Sequence, residues 1–275
     1  MVGRLEGRTL VMSGGSRGIG LAILLAAARE GANVAFLAKT DKPHPKLSGT
    51  VGSAVEEINA AGSGGVMGVL GDVRDDDSVA RLVESAVEAF GGIDICVNNA
   101  SVLNLSGTED LPMSRFDLMQ QVNIRGTFAL TKACLPHLRK SSNGHVVSLS
   151  PPLNLTNGWL GAHPAYTLSK YGMSLVTLGI GAEPANSSLA VNCLWPKTTI
   201  ATAAVVNILG GAEAAARARD PQIMADAAIE IIAAPAAQRS GQTLVDEDVL
   251  RENGITNFSK YGGGPHPDLD IFVDA

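Results

Sequence analysis

Tyr166 and Lys170 stand four residues apart in Ala165-Tyr166-Thr167-Leu168-Ser169-Lys170, at the start of a run with helical spacing. Positions i and i+4 share one face of a helix, so the Lys170 ammonium is expected beside the Tyr166 phenol. A phenol ordinarily ionises near pH 10, and a neighbouring cation stabilises its anion and lowers that value. A phenol tuned in this way can give or take the proton of an alcohol–carbonyl pair.

A second group lies near the amino terminus, where Ser13-Gly14-Gly15-Ser16-Arg17-Gly18-Ile19-Gly20 precedes the apolar helical run Leu21 to Glu30. The spacing G-x3-G-x-G of Gly14, Gly18 and Gly20 leaves the backbone bare for a pyrophosphate, whose charge then rests on a helix N-terminus. With 31 glycines in 275 residues that spacing arises by chance about 0.4 times, so its place at the first strand-to-helix turn carries the signal. Ser16, Arg17 and Ile19 sit within the turn and join the glycines as candidate cofactor contacts. Sites for a free ribose 2′-hydroxyl offer Asp or Glu roughly 20 residues further on. Ala38-Lys39-Thr40 occupies that place here, and Lys39 with Arg17 suits a 2′-phosphate instead. Lys42 and Lys46 add charge to the same loop, so the expected cofactor is NADP(H).

These groups need a scaffold. Seven β-rich runs alternate with helical segments: Thr9 to Ser13, Asn33 to Ala38, Val66 to Leu70, Ile93 to Asn98, His145 to Ser150, Leu189 to Trp195 and Gln242 to Val245. That order predicts βαβ units and a parallel sheet. Asp75 to Asp77 supply an N-cap and first-turn carboxylates to a helix that Gly91 ends. Ser114 and Asp117 form a capping-box pattern ahead of a helix running toward His137, which Asn143-Gly144 stops. Pro43, His44 and Pro45 make Thr40 to Thr50 a loop. With no repeat or divisive linker, residues 1–275 are expected to form one domain. Residues 246–275 are expected to be an extension packed on the body or on a neighbouring subunit through Ile271 and Phe272.

Lys and Arg number 21 against 27 Asp and Glu, a formal charge of −6, which speaks against a nucleic-acid binder. Only 17% of residues are charged while 45% are hydrophobic, below and within the usual ranges, so much of the chain is buried aliphatic core. Cys96, Cys134 and Cys193 fit neither a disulfide framework nor a Cys-x-x-Cys metal site, and each reads as a small core residue. His44, His137, His145, His163 and His266 lack metal-ligand spacing, so no metal is expected. No secretory signal and no apolar run of ~18 residues is visible, which predicts a soluble cytoplasmic protein.

Taken in order, Gly14-x3-Gly18-x-Gly20, Gly71-Asp72-Val73, Asn98-Asn99-Ala100, Asn123 and Tyr166-x3-Lys170 resemble the short-chain dehydrogenase/reductase family over residues 7 to 250. The resemblance implies a Rossmann-type, doubly wound, seven-stranded parallel sheet in three αβα layers, and hydride transfer between nicotinamide and a carbonyl or secondary alcohol. It implies that Asp72 and Val73 hold the adenine and that Asn99 and Ala100 line the cofactor. Asn123 would bind a water relaying protons to Lys170, which also bonds the nicotinamide ribose, and Tyr166 would be the acid/base. Pro196 to Thr202, with Thr198 and Ile200, would bracket the nicotinamide. Ala38-Lys39-Thr40 with Pro43 to Leu47, Ser150-Pro151-Pro152-Leu153-Asn154-Leu155, Lys170-Tyr171-Gly172-Met173 and Trp195-Pro196-Lys197-Thr198 look like its hydroxysteroid dehydrogenase-like subfamily. Members of that subfamily can carry a sterol-carrier domain, which is not expected within 1–275.

Three departures matter. The carbonyl-polarising Ser of the family stands 13 residues before the Tyr, where this chain has Leu153; Ser150, Asn154 or a backbone N–H is left to serve. Ser101 follows Asn98-Asn99-Ala100 where the family has Gly, and Lys197 replaces Gly after Pro196. The displaced Ser motivates an alternative reading, an NADP(H)-binding module with weak or no catalysis. Trp159 is either a substrate lid or packing for its loop. The apolar Ile200, Val205, Val206, Ile208 and Leu209 suggest a lipophilic substrate, with core packing as the other reading. Small residues Ser169 and Gly172 in the Tyr166 helix suggest close packing between subunits, hence a homodimer or homotetramer.

Overall fold

The computed structural model describes residues 2–42, 49–203, 205 and 211–274. Its strands are β1 (Thr9–Ser13), β2 (Asn33–Ala38), β3 (Val66–Leu70), β4 (Ile95–Asn98), β5 (His145–Ser148), β6 (Ala190–Trp195) and β7 (Thr243–Val245). They form one parallel sheet in the order β3-β2-β1-β4-β5-β6-β7. Parallel neighbours need crossovers, and these carry helices to both faces.

The helices are α1 (Gly18–Arg29), α2 (Val51–Ala61), α3 (Asp76–Phe90), α4 (Met113–Met119), α5 (Gly126–Leu138), α6 (Asn157–Ala162), α7 (Pro164–Ala182), α8 (Gly211–Ala216), α9 (Gln222–Ala233) and α10 (Asp246–Glu252). Successive residues of β1 point to opposite faces. Leu10 and Met12 join Ile23, Leu24, Ile229 and Leu250 under α1, α9 and α10. Val11 joins Leu82 of α3 and Leu130 of α5 on the other side. The sheet is therefore doubly wound, the α/β architecture expected. Its strand order reverses between β1 and β4, which opens a crevice at the carboxyl ends of those strands.

Asp75 caps α3 by accepting from Ser78 N at 3.0 Å, and Gly91 ends it with φ 84°. Thr50 caps α2. The expected capping box at Ser114 and Asp117 does not form: α4 starts at Met113 behind Pro112, whose ring sets φ at −61°, and both residues lie inside the helix. A π-helical turn, Gln120–Arg125, joins α4 to α5. α5 ends at Leu138, before Asn143-Gly144, which lie in the turn into β5. β4 begins at Ile95 and not Ile93, because the Asp94 carboxylate accepts from Thr9 N and Ser141 Oγ and turns the chain there. Pro43, His44, Pro45, Lys46 and Leu47 of the expected loop, and Val206, Ile208 and Leu209 of the apolar stretch, lie outside the described residues. Among the described residues no helix is long and apolar enough to cross a membrane.

Candidate active site

The glycine turn sits between β1 and α1 at the switch point. Gly14 has φ 79° and donates to Leu37 O at 2.7 Å. Asn99, just past β4, donates from Nδ2 to Gly14 O at 2.7 Å and to Ser13 O at 3.3 Å. A Cβ on Gly20 would lie 2.2 Å from Gly14 O and 2.5 Å from Asn99 Nδ2, so only glycine lets the start of α1 approach the turn. Asn99 N and Ala100 N both point at Ser13 Oγ. Ser16 is buried, Gly18 has φ 56°, and Ile19 packs on the core under α1.

Arg17, the N-cap of α1, donates from Nη2 to Thr40 Oγ1 at 2.6 Å and to Gly49 O at 2.9 Å. Burial pulls its guanidinium below the usual arginine value. Lys39 Nζ lies 3.0 Å from Asp72 Oδ2, and Arg74 Nη2 lies 2.6 Å from the same oxygen. Burial opposes ionisation of Asp72, yet bonds from Arg74 and Lys39 hold its carboxyl well below the usual carboxylate range. Val73 is buried against Gly126, where a Cβ would come within 2.8 Å of it. Just past β2, Lys39 stands where a carboxylate would meet a ribose hydroxyl, with Arg17 reaching Thr40 beside it and Asp41 two residues further on.

Tyr166 and Lys170 are both buried on α7. Lys170 Nζ donates to Leu149 O at 2.6 Å, touches Met173 Sδ at 3.3 Å and stands 4.9 Å from the Trp195 ring centroid. Burial pulls the ammonium down to about 7, with the Asp270 carboxyl acting the other way. The expected lowering of the Tyr166 phenol is not found: burial, with Asp270 adding to it, pushes its ionisation well above the ordinary value. Without a solvating partner an anion is costly there.

Ser150 Oγ is buried, follows the carbonyl that Lys170 binds, and lies against the Cys193 thiol, a weak partner, with no oxygen or nitrogen partner among the described residues. Asn154 has its amide engaged elsewhere, Nδ2 donating to Asp274 and Oδ1 accepting from Thr156 N. Asn123, in the π turn, accepts from Val102 N at 2.8 Å and donates to Val102 O and to Ser169 Oγ. Its side chain therefore ties the segment after β4 to α7. Beyond β6, Pro196, Thr198 and Ile200 are buried, and the hydroxyls of Thr198 and Thr199 are buried without partners among the described residues. A bare glycine cradle with orphaned hydroxyls at the ends of β5 and β6 fits a ligand with phosphate at one end and an amide at the other.

Two carboxyls in this region escaped sequence reading. Asp246 Oδ1 accepts from Lys197 N at 2.8 Å, and burial pushes its carboxyl up to about 7. Asp270 N donates to Lys197 O at 3.0 Å; burial first, then the Asp246 carboxylate, pushes its side chain up to about 8. In sequence, Asp246 reads only as the start of an acidic first turn. Asp270 belongs to a strap, residues 268–274, whose Phe272 lies on Tyr166 with ring centroids 6.0 Å apart and 23° between planes.

Ser169 and Gly172 do not face outward. Ser169 is fully buried and bonds Asn123 and Tyr166 O, and a Cβ on Gly172 would meet Ile124 at 2.2 Å. They let α7 pack on the chain's own π turn. The exposed side of α7 carries Leu168 and Leu175.

Residues 8–209 match the family described as short chain dehydrogenase. Hydroxysteroid dehydrogenase-like protein 2 of Danio rerio is 52% identical over 275 residues, 99% of this chain and 65% of that protein. The curated relatives are longer, and the chain spans between 52% and 65% of them. A short chain dehydrogenase crystal structure from Mycobacterium thermoresistibile is 49% identical with a TM-score of 0.92, covering 98% of this chain and 96% of that one. An NADH-dependent reductase complexed with NAD is 25% identical with a TM-score of 0.71, covering 89% and 97%. Shared over so much of its length, the likeness means that the chain belongs to the short-chain dehydrogenase/reductase family, oxidoreductases that use NAD or NADP.

Proposed function

We propose that the protein is an NADP(H)-dependent reductase of carbonyl compounds, with Tyr166 as the proton donor. The observation that carries this reading is the shared sheet edge. A glycine turn fastened by Asn99 at the ends of β1 and β4 shares the carboxyl edge of the sheet with buried Lys170, whose ammonium bonds the carbonyl after β5, next to Ser150. Gly14, Ser16, Gly18, Ile19 and Gly20 would cradle the pyrophosphate, Asp72, Val73, Asn99 and Ala100 the adenosine half, and Pro196, Thr198 and Ile200 the nicotinamide. Bound there, the nicotinamide supplies or accepts a hydride.

Arg17 and Lys39 would pair with a 2′-phosphate. The Lys39–Asp72 pair is largely exposed on the lysine side, a class of ion pair worth little, so exchanging that carboxylate for phosphate costs little. Tyr166 is held protonated by burial, so it carries the proton that a developing alkoxide takes, and the same burial makes it a weaker donor than a phenol ionising nearer the working pH. Ser150 Oγ, with only the weak Cys193 thiol against it, would donate to the carbonyl oxygen, and losing such a donor costs roughly 10²–10³ in rate. Asn123 would hold the proton path through its grip on Val102 and Ser169.

The test is cofactor-linked turnover of an aldehyde and ketone panel. Tyr166→Phe should keep NADPH binding and lose roughly 10²–10⁴-fold in turnover. Lys39→Asp with Arg17→Ala should shift preference from NADPH to NADH; unchanged preference refutes the 2′-phosphate reading. The second reading, a cofactor-binding module with little catalysis, is favoured by Leu153 at the family's Ser position and by the covering of Tyr166. Tight NADPH binding with no turnover across the panel would establish it. Three buried free cysteines favour a reducing, cytoplasmic setting. The outward Leu168 and Leu175 of α7, with Phe128 of α5, favour a homo-oligomer.

A further inference from the structure

Aromatic residues make up only 4% of this chain, yet five of them meet at one point. Phe272 is buried among Trp159, Tyr166, Tyr171 and Trp195, with ring centroids at 5.8, 6.0, 5.0 and 6.1 Å. Phe272 is also the only non-glycine residue with positive φ among the described residues, at 74°. A bulky side chain in that region is strained, and the conformation persists only because its surroundings hold it. The restraints are visible. Thr199 N donates to Asp268 O and Asp270 N to Lys197 O, so the strap runs antiparallel to the chain leaving β6. Trp195 Nε1 donates to Ile271 O at 2.8 Å. Beyond Phe272, the Asp274 carboxylate accepts from Trp159 Nε1 at 2.9 Å and from Asn154 Nδ2 at 2.6 Å.

The Phe272 ring therefore fills a benzyl-sized apolar slot against the residue proposed as proton donor, and leaves Tyr166 only 6% exposed. We propose that Phe272 is a specificity-determining residue: it occupies the place of a substrate's apolar group and admits only a carbonyl whose own aromatic-sized group can displace it. A small carbonyl brings too little apolar surface to replace the four ring contacts, whereas a phenylalkyl group restores them. The strain at Phe272 lowers the cost of its leaving. The inference deepens the reductase reading by naming the substrate class, and it rests on that reading for the catalytic role of Tyr166.

The two tryptophans of the chain both touch Phe272, so intrinsic tryptophan emission reports on this slot without any turnover. The experiment titrates the protein with 3-phenylpropan-1-ol and, separately, 1-propanol, and compares kcat/KM for 4-phenyl-2-butanone and acetone with NADPH. The phenyl alcohol should shift the emission saturably while 1-propanol at the same concentration does not. Phe272→Ala, with its slot vacated, should bind the phenyl alcohol on the order of tenfold more tightly. It should also raise kcat/KM for acetone by about tenfold, because the cost of displacing the ring, which acetone has no group to repay, is gone. Phe272→Leu, which keeps an apolar filler, should fall between and guards against misfolding of the alanine variant. Unchanged emission on saturation, or equal affinity in wild type and both variants, overturns the proposal. Failure of every ketone to react counts against the reductase, while the emission and affinity results still decide the role of Phe272.

Discussion

Gly20→Ala isolates the closest approach in the cofactor turn. The added methyl would begin 2.2 Å from Gly14 O and 2.5 Å from Asn99 Nδ2, and an ordinary contact needs about 1 Å more. Gly14 O is backbone, at a residue held at φ 79° and hydrogen-bonded from both sides, by its own N–H to Leu37 O and from Asn99 Nδ2. The strain cannot be absorbed by a side-chain rotation, so about 1–3 kcal/mol of overpacking is expected in urea unfolding. Cofactor affinity should suffer separately. Moving the turn by ~1 Å breaks at least one hydrogen bond to a charged phosphate, worth about 1.5–3 kcal/mol, or roughly a 10- to 100-fold rise in Kd. NADPH fluorescence titration measures that rise. Gly52→Ala is the control: its methyl would meet only Thr50 Oγ1 at 3.9 Å on an exposed turn of α2, and helix propensity favours alanine by up to ~1 kcal/mol. If Gly20→Ala bound NADPH with the wild-type Kd while remaining folded, the turn would not be the pyrophosphate cradle.

Two stability effects follow from buried ionisable groups. His145 starts β5 fully enclosed, and burial, with Arg8 nearby, pulls its imidazole from 6.5 to about 4. Protonation is then resisted in the folded state but not the unfolded one, so stability is complete above pH 6.5 and declines as pH falls from there toward 4, by about 3 kcal/mol. Urea midpoints at pH 8, 6 and 5 should show that slope in wild type and a shallower one in His145→Gln; parallel slopes would be evidence against it. Arg219 is buried with Nη2 3.0 Å from Glu247 Oε1 and Nη1 on Phe258 O. Arg219→Met should cost about 3 kcal/mol, near the low end for a broken buried pair because Arg251 still reaches Glu247 at 2.7 Å. A loss below ~1 kcal/mol in thermal or urea unfolding would contradict it.

The strands were legible because runs such as Thr9 to Ser13 and Asn33 to Ala38 are buried on both faces and bounded by turn residues. The glycine turn was legible because its constraint is local, three glycines within one turn. Ends were less so where a side chain decided them: Asp94 delays β4, and Pro112 displaces the expected cap of α4. The pairing of Tyr166 with Lys170 was readable as spacing, but the ionisation of the phenol depends on its burial in the fold and then on Asp270, more than 100 residues away, and no periodicity links the two. The same distance hid the cage around Phe272, whose members come from α6, α7, the end of β6 and the strap. Ser169 and Gly172 show the converse, small residues that mark close helix packing without saying which helix is packed.

The strand order also sets a timetable for synthesis. β1 lies at the middle of the sheet, hydrogen-bonded to β2 on one side and to β4 on the other. β2 leaves the ribosome within some twenty residues of β1, but β4 starts only at Ile95, so one edge of a strand that ends up wholly buried stays open while roughly 60 more residues are made. At bacterial or eukaryotic elongation rates that interval is about 3–12 s. An unpaired parallel edge invites pairing with another nascent chain, so the half-made protein is the species on which a chaperone would act, well before the crevice for its cofactor exists.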